Sequence, residues 1–387
     1  MAFLPLPSLP RSFAAIPRPQ KCRSPRMTTA SPSAPVKVAI LGASGYTGAE
    51  LLRILAQHPR AQITTLTAER SAGKTIGQVY PQFSYGLFAS HLPVLEKTTD
   101  VQKWTERADV VFCCLPHATT QNIIASLPLD DGLRVVDLSA DFRLRDVEQY
   151  HQWYGGEHQA QQLQKEAVYG ITELFRDQVR TARLVANPGC YPTSAQLPLI
   201  PLLREKLILP QDIIIDAKSG TSGAGRSPKV GTLFCEVADG ISAYGVARHR
   251  HTPEIEQGLS EAYGSPIRVS FTPHLMPMSR GILATIYVKL APGCDAKTLR
   301  QCLQRAYQSE HFVHVLDEGL PPPQTRHVRG SNNCVIAVVD DAVPGRAILV
   351  SCIDNVVKGA SGQAVQNMNV MMGLPESMGL ENQPMFP

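Results

Sequence analysis

The sequence predicts two domains: an α/β domain with a parallel sheet covered by helices, followed by a domain whose long strands form a mixed or antiparallel sheet. In the first domain, an apolar run of strand length at 36–41 leads through a glycine-rich turn into helical periodicity at 49–57. Further apolar runs alternate with helical stretches up to about residue 188, which is typical of a parallel sheet. Beyond that point the strand patterns are longer and fewer helices separate them.

The remaining elements follow from the same patterns. Strands of the first domain are predicted within 61–70, 108–116 and 133–141. Strands of the second domain are predicted within 212–220, 267–290, 332–341 and 346–354, with helices at 253–263 and 296–307. The stretch 355–372 has the pattern of a final helix.

The composition is typical of a globular protein. Of the 387 residues, 43% are hydrophobic and 18% are charged, and no run of 18 apolar residues indicates a membrane span. Residues 1–30 contain five basic side chains and no acidic one, and the rest of the chain has 32 basic and 33 acidic residues. The charge balance therefore predicts neither a nucleic-acid partner nor a membrane partner.

The first 33 residues are rich in Pro, Ser, Ala and Arg, and the first acidic residue is Glu50. This composition is typical of an organelle transit peptide, and the abundance of Pro and Ser favours the chloroplast. An ordinary disordered tail is the alternative. In either case we expect residues 1–33 to lie outside the fold.

The turn after the first strand has the spacing of a dinucleotide-binding site. Glycines recur in GASGYTG between a strand and a helix. Such glycines allow the backbone to approach a pyrophosphate, whose charge the helix N-terminus favours. A tight structural turn is the alternative. We predict a Rossmann domain in which the cofactor contacts Gly42, Ser44, Gly45, Tyr46, Thr47 and Gly48.

Charged residues about 20 positions after this turn bear on the choice of dinucleotide. Glu69 suits the ribose hydroxyls of NAD, whereas Arg70 and Ser71, with Lys74 nearby, suit the 2′-phosphate of NADP. We favour NADP, and a solvated charged loop is the alternative.

Among nine cysteines, Cys190 in NPGCYPT has the sequence context of a nucleophile. Pro192 suits the first position of a helix, which would make Tyr191 the N-cap and place Cys190 just before the helix. The positive helix end would then lower the thiol pKa. A small buried residue is the alternative. The other cysteines in apolar surroundings are Cys113, Cys114, Cys235, Cys302 and Cys352. The odd number of cysteines and the absence of CxxC indicate reduced thiols.

A base for this thiol is present in RHRHTPEI, where His249 and His251 flank Arg250. Thr252 is predicted to be an N-cap and Pro253 the first residue of the next helix, so both imidazoles would lie on an accessible loop. We favour His251, although the sequence does not rank the two. A basic surface cluster is the alternative, and we predict no metal because no acidic ligand motif accompanies the pair.

Seven motifs make the chain similar to one family. In order they are GASGYTG, DLSADFR, NPGCYPT, DAKSGTSGAGR, HRHTPEI, PHLMPMSRGI and DNVVKGASGQAVQNMN. The set resembles the N-acetyl-gamma-glutamyl-phosphate reductases of arginine biosynthesis, in their plant plastid form, and more broadly the aspartate-semialdehyde dehydrogenases. The resemblance implies an NADP-binding Rossmann domain at 34–188 plus 357–387, because the last helix returns to it, and an α+β catalytic and dimerisation domain built on a mixed sheet at 189–356. It also implies a homodimer or homotetramer.

The resemblance further implies a reaction in the chloroplast stroma. NADPH would reduce N-acetyl-γ-glutamyl phosphate to N-acetyl-L-glutamate 5-semialdehyde, with release of phosphate and a thioester on Cys190. Further cofactor contacts are expected at Pro116, His117, Ser219, Gly220, Asn355 and Gln363. The two anionic ends of the substrate would be held by Arg143, Lys218, Arg226, Arg250 and Arg280, and Glu254 is expected to contact the substrate as well.

Other functions are compatible with these residues. An aspartate-semialdehyde dehydrogenase, or another phosphorylating aldehyde dehydrogenase, would share the chemistry and differ in substrate. A non-catalytic NADP-binding redox sensor would oxidise Cys190 instead of acylating it. A cysteine hydrolase is a remote alternative, because the chain has the glycine turn and no papain-like or caspase-like signature.

Overall fold

Two seven-stranded sheets organise the chain. The computed structural model describes residues 34–385, so the transit segment expected at 1–33 lies outside the described residues. Both sheets belong to one compact unit that begins at Pro35. The first sheet ends with a strand at 184–186, the second begins with a strand at 213–220, and a long helix connects them.

The first sheet is parallel throughout, as predicted, with the strand order β3-β2-β1-β4-β5-β7-β6. Its strands are β1 Val36–Leu41, β2 Ala61–Thr67, β3 Leu95–Glu96, β4 Val110–Cys113, β5 Arg134–Asp137, β6 Val168–Tyr169 and β7 Leu184–Ala186. The helices among them are α1 Tyr46–Leu55, α2 Ile76–Val79, α3 Gly86–Ala89, α4 Val101–Thr105, α5 Thr120–Ala125, α6 Val147–Tyr154, α7 Gln161–Glu166 and α8 Thr172–Thr181.

Strand β1 is apolar along nearly its whole length because both faces of this sheet are buried. Val38 and Ile40 pack into one core, and Ala39 and Leu41 pack into a second core on the opposite face. A parallel sheet covered by helices on both sides requires this pattern. The glycine turn follows directly from β1.

The second sheet is mixed, also as predicted, with the strand order β12-β13-β14-β11-β8-β10-β9. Its strands are β8 Ile213–Gly220, β9 Ser242–Ala243, β10 Val269–Met276, β11 Ile282–Lys289, β12 Val313–Val315, β13 Cys334–Asp340 and β14 Arg346–Ile353. The remaining helices are α9 Cys190–Arg204, α10 Phe234–Val237, α11 Thr252–Tyr263, α12 Ala296–Tyr307 and α13 Gly362–Met371. The pairs β8–β10 and β12–β13 are parallel, and the other pairs are antiparallel.

One face of the second sheet packs against α9, α11 and α12. In β8, Ile213, Ile215 and Ala217 point into this core. The alternate residues lie on the opposite face, where Ile214 is 37% exposed and Asp216 and Lys218 are partly exposed. This alternation of buried and exposed residues is typical of a sheet that packs on one side only.

The C-terminal part of the chain returns to the first domain. A π-helical segment, Val357–Ser361, leads directly into α13, which packs on α1 and α8. Ala364, Val365 and Met368 join the core formed by Val38 and Ile40. The predicted return of the last helix is therefore confirmed. Between residues 34 and 385, none of the helices has the length and apolar character needed to cross a membrane.

Candidate functional site

Cys190 occupies the first position of α9, and Gly189 is the N-cap. The sequence placed this helix start two residues later, with Tyr191 as N-cap and Pro192 as first residue, and that prediction is wrong. Pro192 still lies in the first turn, where its missing N–H costs no helical hydrogen bond. The thiol therefore belongs to the helix start itself.

The pKa of this thiol does not follow the sequence prediction. Burial raises the pKa of Cys190 to about 11, although a hydrogen bond from the Tyr191 backbone and the charge of Arg143 both favour the thiolate. The low-dielectric surroundings thus favour the neutral thiol more strongly than the helix end favours the anion. A thiol in this state needs a base to become a nucleophile.

Two imidazoles lie next to the helix start. The ring of His251 packs against Gly189, because a Cβ added to that glycine would come within 2.6 Å of Nε2. The ring of His249 is 4.9 Å from that of His251, and its Nδ1 accepts a hydrogen bond from the His251 backbone N–H at 3.1 Å. His251 is the N-cap of α11, so this helix begins one residue earlier than predicted.

Both imidazoles are neutral at physiological pH. Burial, together with the charge of Arg250, lowers the pKa of His249 to about 4, and burial holds the pKa of His251 well below its usual range. Both residues are half-buried, so the imidazoles are only partly accessible. Within residues 34–385, no hydrogen-bond partner reaches Nδ1 of His251. A neutral imidazole at this position can accept a proton.

A buried carboxylate supports the start of α9. Glu254, on α11, is 1% exposed and accepts hydrogen bonds from the Gly189 N–H at 2.8 Å and from the Tyr169 hydroxyl at 2.7 Å. Its second oxygen lies 3.4 Å from Arg143. Glu254 therefore holds the backbone next to Cys190, and its contact with the substrate stays a prediction.

Arg143 has a similar supporting position. Its Nε donates to the Asn187 carbonyl and its Nη2 to the Leu138 carbonyl, each at 2.8 Å, and the side chain is 6% exposed. It therefore braces the loop that precedes Cys190. Arg250 is exposed, and its guanidinium carbon lies 5.6 Å from the Tyr154 ring centroid. Of these two predicted substrate ligands, Arg250 has the greater exposure.

His117 also joins the site. Its Nδ1 accepts a hydrogen bond from the Ala140 N–H at 3.0 Å, and its ring packs on Tyr154. Burial, with the charges of Arg143 and Arg250, lowers the pKa of His117 to about 4. The adjacent Pro116 is exposed, and its carbonyl accepts a hydrogen bond from Thr119 at 2.5 Å. The Tyr154 ring thus contacts both His117 and Arg250.

The glycine turn suits the pyrophosphate of a dinucleotide. Gly42 has φ +78°, and a Cβ there would lie 2.5 Å from the Cys114 carbonyl oxygen. A Cβ on Gly48 would lie 2.6 Å from Cα of Ala43, so neither glycine can be replaced without a shift of the backbone. Gly45 is the N-cap of α1, whose first-turn N–H groups have no acceptor within the helix. Tyr46 and Thr47 form that first turn, which can receive an anion.

The residues predicted to choose the dinucleotide follow β2. Glu69, Arg70 and Ser71 form a short 3₁₀ turn. Glu69 and Arg70 are both exposed, and the Glu69 carboxylate accepts a hydrogen bond from the Thr98 N–H at 2.9 Å. The acidic residue is therefore bound by the chain's own backbone.

Two predicted substrate ligands contact the first domain. Arg226 donates to the carbonyls of Ser44 at 3.1 Å and Val79 at 3.2 Å, and Arg280 binds Glu50 at 2.6 Å. These guanidinium groups join the two domains beside the glycine turn, and their contacts with the substrate stay predictions. They border a cavity of about 630 Å³, which is also lined by Tyr46, Tyr80, Ser222 and Phe234.

Other predicted site residues also have partners within the protein, and their contacts with substrate or cofactor stay predictions. Lys218 pairs with Asp216 at 2.9 Å on the uncovered face of the second sheet. Gln363 is fully buried and donates to the Gly170 carbonyl and the Thr172 hydroxyl. The Asn355 amide donates to the Ser222 hydroxyl and accepts from the Gly281 N–H. Ser219 and Gly220 are buried beside these groups.

The sequence motifs do not indicate every residue of the site. Cys235 is exposed, contrary to its predicted apolar setting. The role of Asn187 is not predicted, although a polar residue directly after buried β7 and three positions before Cys190 is a usable signal. Tyr169, which binds Glu254, carried no such signal because its hydroxyl partner lies 85 residues away.

Comparisons with known proteins bear on the fold and the family. Residues 37–182 match the family model described as semialdehyde dehydrogenase, NAD binding domain, and residues 190–355 match the semialdehyde dehydrogenase, dimerisation domain. Among solved structures, the aspartate semialdehyde dehydrogenase with NADP from Candida albicans has a TM-score of 0.65 at 19% identity, covering 88% of this chain and 99% of its own. At that identity the likeness shows the fold alone, and the predicted fold class is confirmed.

Relatives of higher identity define the family. The probable N-acetyl-gamma-glutamyl-phosphate reductase, chloroplastic, of Arabidopsis thaliana is 55% identical over 376 residues, which are 97% of this chain and 92% of that protein. Its counterpart in Oryza sativa is 56% identical over 95% of this chain and 87% of that protein. The N-acetyl-gamma-glutamyl-phosphate reductase of Rhodospirillum rubrum is 61% identical over 91% of this chain and 99% of that protein. The chain therefore belongs to the N-acetyl-gamma-glutamyl-phosphate reductase family, built on the two-domain fold of the semialdehyde dehydrogenases.

Proposed function

We propose that the chain reduces N-acetyl-γ-glutamyl phosphate to N-acetyl-L-glutamate 5-semialdehyde with NADPH and releases phosphate. The observation that carries this proposal is Cys190 in the first turn of α9, with the neutral ring of His251 packed against the adjacent Gly189. Relatives at 55–61% identity are named for the same reduction.

The first half of the reaction acylates the cysteine. His251 takes the thiol proton as the sulfur of Cys190 attacks the carbonyl carbon of the acyl phosphate. The carbon–oxygen bond to phosphate then breaks, phosphate leaves with its electron pair, and a thioester forms on Cys190. We assign the proton to His251 because its ring packs directly against Gly189, whereas His249 contacts the backbone N–H of His251.

The second half of the reaction reduces the thioester. A bound nicotinamide cofactor supplies the hydride that the thioester carbonyl carbon accepts. His251, now an imidazolium ion, returns its proton to the carbonyl oxygen. The resulting hemithioacetal collapses, which releases the aldehyde and restores the Cys190 thiol. We propose that Arg250 binds an anionic end of the substrate, because it is exposed beside Tyr154 at the rim of this site.

Replacement of the nucleophile tests the reaction. We expect Cys190→Ser to lower the rate of N-acetyl-γ-glutamyl phosphate reduction by at least about a thousandfold while NADPH binding is retained. Substrate added to the unaltered protein without NADPH should leave an acyl group on the Cys190 peptide, measured by mass spectrometry. An acyl-free Cys190 in a protein that binds NADPH would instead favour the redox sensor.

The substrate is tested in the reverse direction. With NADP and phosphate, we expect oxidation of N-acetylglutamate 5-semialdehyde to be faster than oxidation of aspartate semialdehyde. The opposite preference would favour the aspartate-semialdehyde dehydrogenase alternative. The relatives' names support the first outcome.

We propose NADP as the dinucleotide, because Arg70 is exposed where β2 ends and Ser71 follows it. We expect Arg70→Ala to weaken NADPH binding at least about tenfold and to leave NADH binding nearly unchanged, because only NADPH carries the 2′-phosphate. Fluorescence titration measures both affinities. The control is Arg180→Ala, which removes an exposed guanidinium from α8. Equal losses for both dinucleotides would contradict this assignment.

We propose a homodimer or homotetramer in which the uncovered face of the second sheet is the contact surface. The match of residues 190–355 to a dimerisation domain supports this, as does the exposed apolar Ile214 on that face. Light scattering after size-exclusion chromatography should give a mass of two or four chains, and Ile214→Arg should lower it.

We also propose the chloroplast stroma as the location, since two relatives are named chloroplastic. A fusion of residues 1–33 to a fluorescent protein tests that location.

For the domain boundaries we propose 34–188 plus 357–387 for the Rossmann domain and 189–356 for the catalytic and dimerisation domain.

A further inference from the structure

The π-helical segment Val357–Ser361 contacts three parts of the proposed active site. A Cβ added to Gly359 would come within 2.7 Å of Cβ of Cys190, so the backbone there packs directly on the nucleophile. The Ala360 carbonyl accepts a hydrogen bond from the Asn187 amide at 3.1 Å. The Ser361 hydroxyl donates to the Thr47 carbonyl of the glycine turn at 2.9 Å. Three consecutive residues thus join the nucleophile, the loop before it and the glycine turn.

The register of these three contacts depends on π-helical geometry. The N–H of Gly359 binds the Asp354 carbonyl, and the N–H of Ser361 binds the Val356 carbonyl, each five residues back and each at 2.9 Å. Such short π segments are rare and occur frequently at functional sites. Reversion to an α-helical turn would shift the register of the segment and move its contacts away from Cys190 and Thr47.

Lys358 anchors the segment on its other side. Its side chain is fully buried, and Nζ donates to the Glu173 carboxylate at 2.6 Å and to the Gln366 side-chain oxygen at 2.8 Å. Glu173 lies on α8 and is also fully buried, and Gln366 lies on α13. A buried ion pair recovers its desolvation cost only with good geometry, so its contribution lies more in fixing an arrangement than in stability.

The neighbouring carboxylates do not compete with Glu173 for the ammonium group of Lys358. The neighbouring carboxylates Glu310 and Glu376 are both paired with Arg176. Gln366 also donates to Glu173 and Glu376, which ties the pair to the C-terminal segment. The ammonium group therefore binds groups on α8 and α13, and not the substrate cleft.

We propose that Lys358 is a positioning residue for the reaction. Its buried pair with Glu173 fixes the register of the π segment, and the segment in turn holds Cys190 against the glycine turn. The inference rests on the function proposed above, because what it positions is the nucleophile relative to the cofactor.

Single-turnover kinetics of Lys358→Met test the proposal. The substitution removes the ammonium group and retains an unbranched side chain of similar length. We expect NADPH oxidation to slow about ten- to a hundredfold, because small misplacement of reacting groups has effects of this size. Phosphate release from the acyl phosphate, which requires only Cys190 and its base, should slow less than about threefold. Equal slowing of both steps, or of neither, would overturn the proposal.

A paired variant separates positioning from stability. Lys358→Met leaves the Glu173 carboxylate buried without its partner, so Tm should fall. In Lys358→Met/Glu173→Gln the unpaired charge is removed, and we expect Tm to recover while NADPH oxidation stays slow. Recovery of both together would show a merely structural role. The stability control is Leu299→Ala in the buried face of α12, which should lower Tm and leave NADPH oxidation unchanged.

Two further measurements keep the test decisive. If Lys358→Met does not fold, Ser361→Ala replaces it: removal of the hydroxyl bond to Thr47 should slow NADPH oxidation and not phosphate release, and normal oxidation would overturn the proposal. Alkylation of Cys190 by iodoacetamide needs neither substrate nor cofactor. We expect it to be faster in Lys358→Met, because the backbone at Gly359 would pack less tightly on Cys190. An unaltered protein that releases no phosphate would contradict the proposed function itself, whereas normal turnover by Lys358→Met would contradict only this inference.

Discussion

At the scale of single residues, the candidate site keeps both its thiol and its bases neutral. Burial raises the pKa of Cys190 to about 11 and lowers the pKa of His249 to about 4. The same physical cause, desolvation of the charged form, acts in opposite directions on an acid and on a base. A neutral thiol beside a neutral imidazole can transfer its proton to the imidazole when substrate arrives. The resting site therefore needs no thiolate–imidazolium ion pair.

The raised thiol pKa predicts the pH dependence of alkylation. Because only the thiolate reacts, the rate of Cys190 modification by iodoacetamide should rise about tenfold per pH unit between about pH 7 and pH 10. Peptide mapping by mass spectrometry in a Cys235→Ser background measures this rate without the exposed thiol. A rate that is already constant above neutral pH would mean that the helix end outweighs burial.

At the scale of elements, the site depends on two helix starts that meet. The N-cap of α9 is Gly189 and that of α11 is His251, and Glu254 on α11 binds the Gly189 N–H at 2.8 Å. This bond fixes one helix start against the other, and so it fixes the thiol relative to the imidazole. The close approach leaves room only for glycine at position 189.

A substitution at this contact tests its role. The added Cβ of Gly189→Ala would lie 2.6 Å from Nε2 of His251, so the imidazole must move. We expect kcat to fall at least about tenfold, because the base is displaced from its near-attack position. The control is Gly231→Ala, where an added Cβ meets nothing within 4 Å, and kcat should not change. Unchanged kcat in Gly189→Ala would contradict the assignment of His251 as base.

At the scale of the whole molecule, buried histidines make stability depend on pH. Burial lowers the pKa of five histidines that lie in or near the first domain and the site: His58, His117, His158, His249 and His251. Their folded pKa values lie below the unfolded value of about 6.5, so the unfolded chain binds more protons as the solution is acidified. Stability should therefore be full above about pH 6.5 and should be lost as the pH falls towards about 4.

Urea unfolding across this range tests the prediction. Between pH 7 and pH 5 we expect the free energy of unfolding to fall by about 1–3 kcal/mol, after allowance for the partial exposure of several rings. His249→Gln should make the fall shallower, since one proton-binding group of the unfolded chain is removed. A free energy that rises on acidification, or a slope that the substitution leaves unaltered, would show that these histidines do not control the effect.

Local sequence determined much of this molecule. The strand at Val36–Leu41 and the helix at Ala296–Tyr307 lie where periodicity placed them, because neighbouring residues decide both. The glycine turn, the nucleophile motif and the histidine pair were also readable, since each is a short motif whose chemistry depends on residue type and spacing. The order of these motifs was sufficient to predict the family.

Only the tertiary structure decided the protonation states and the partners of the charged residues. Arg280 binds Glu50 across 230 positions, and Lys358 binds Glu173 across 185, so no local pattern could assign either partner. The pKa of the Cys190 thiol is raised, although the helix start alone would lower it, because desolvation depends on all the groups packed around the sulfur. One of these groups is Gly359, 169 positions later in the chain. Backbone patterns are short-ranged, whereas burial and charge pairing are properties of contacts that form only when the chain has folded.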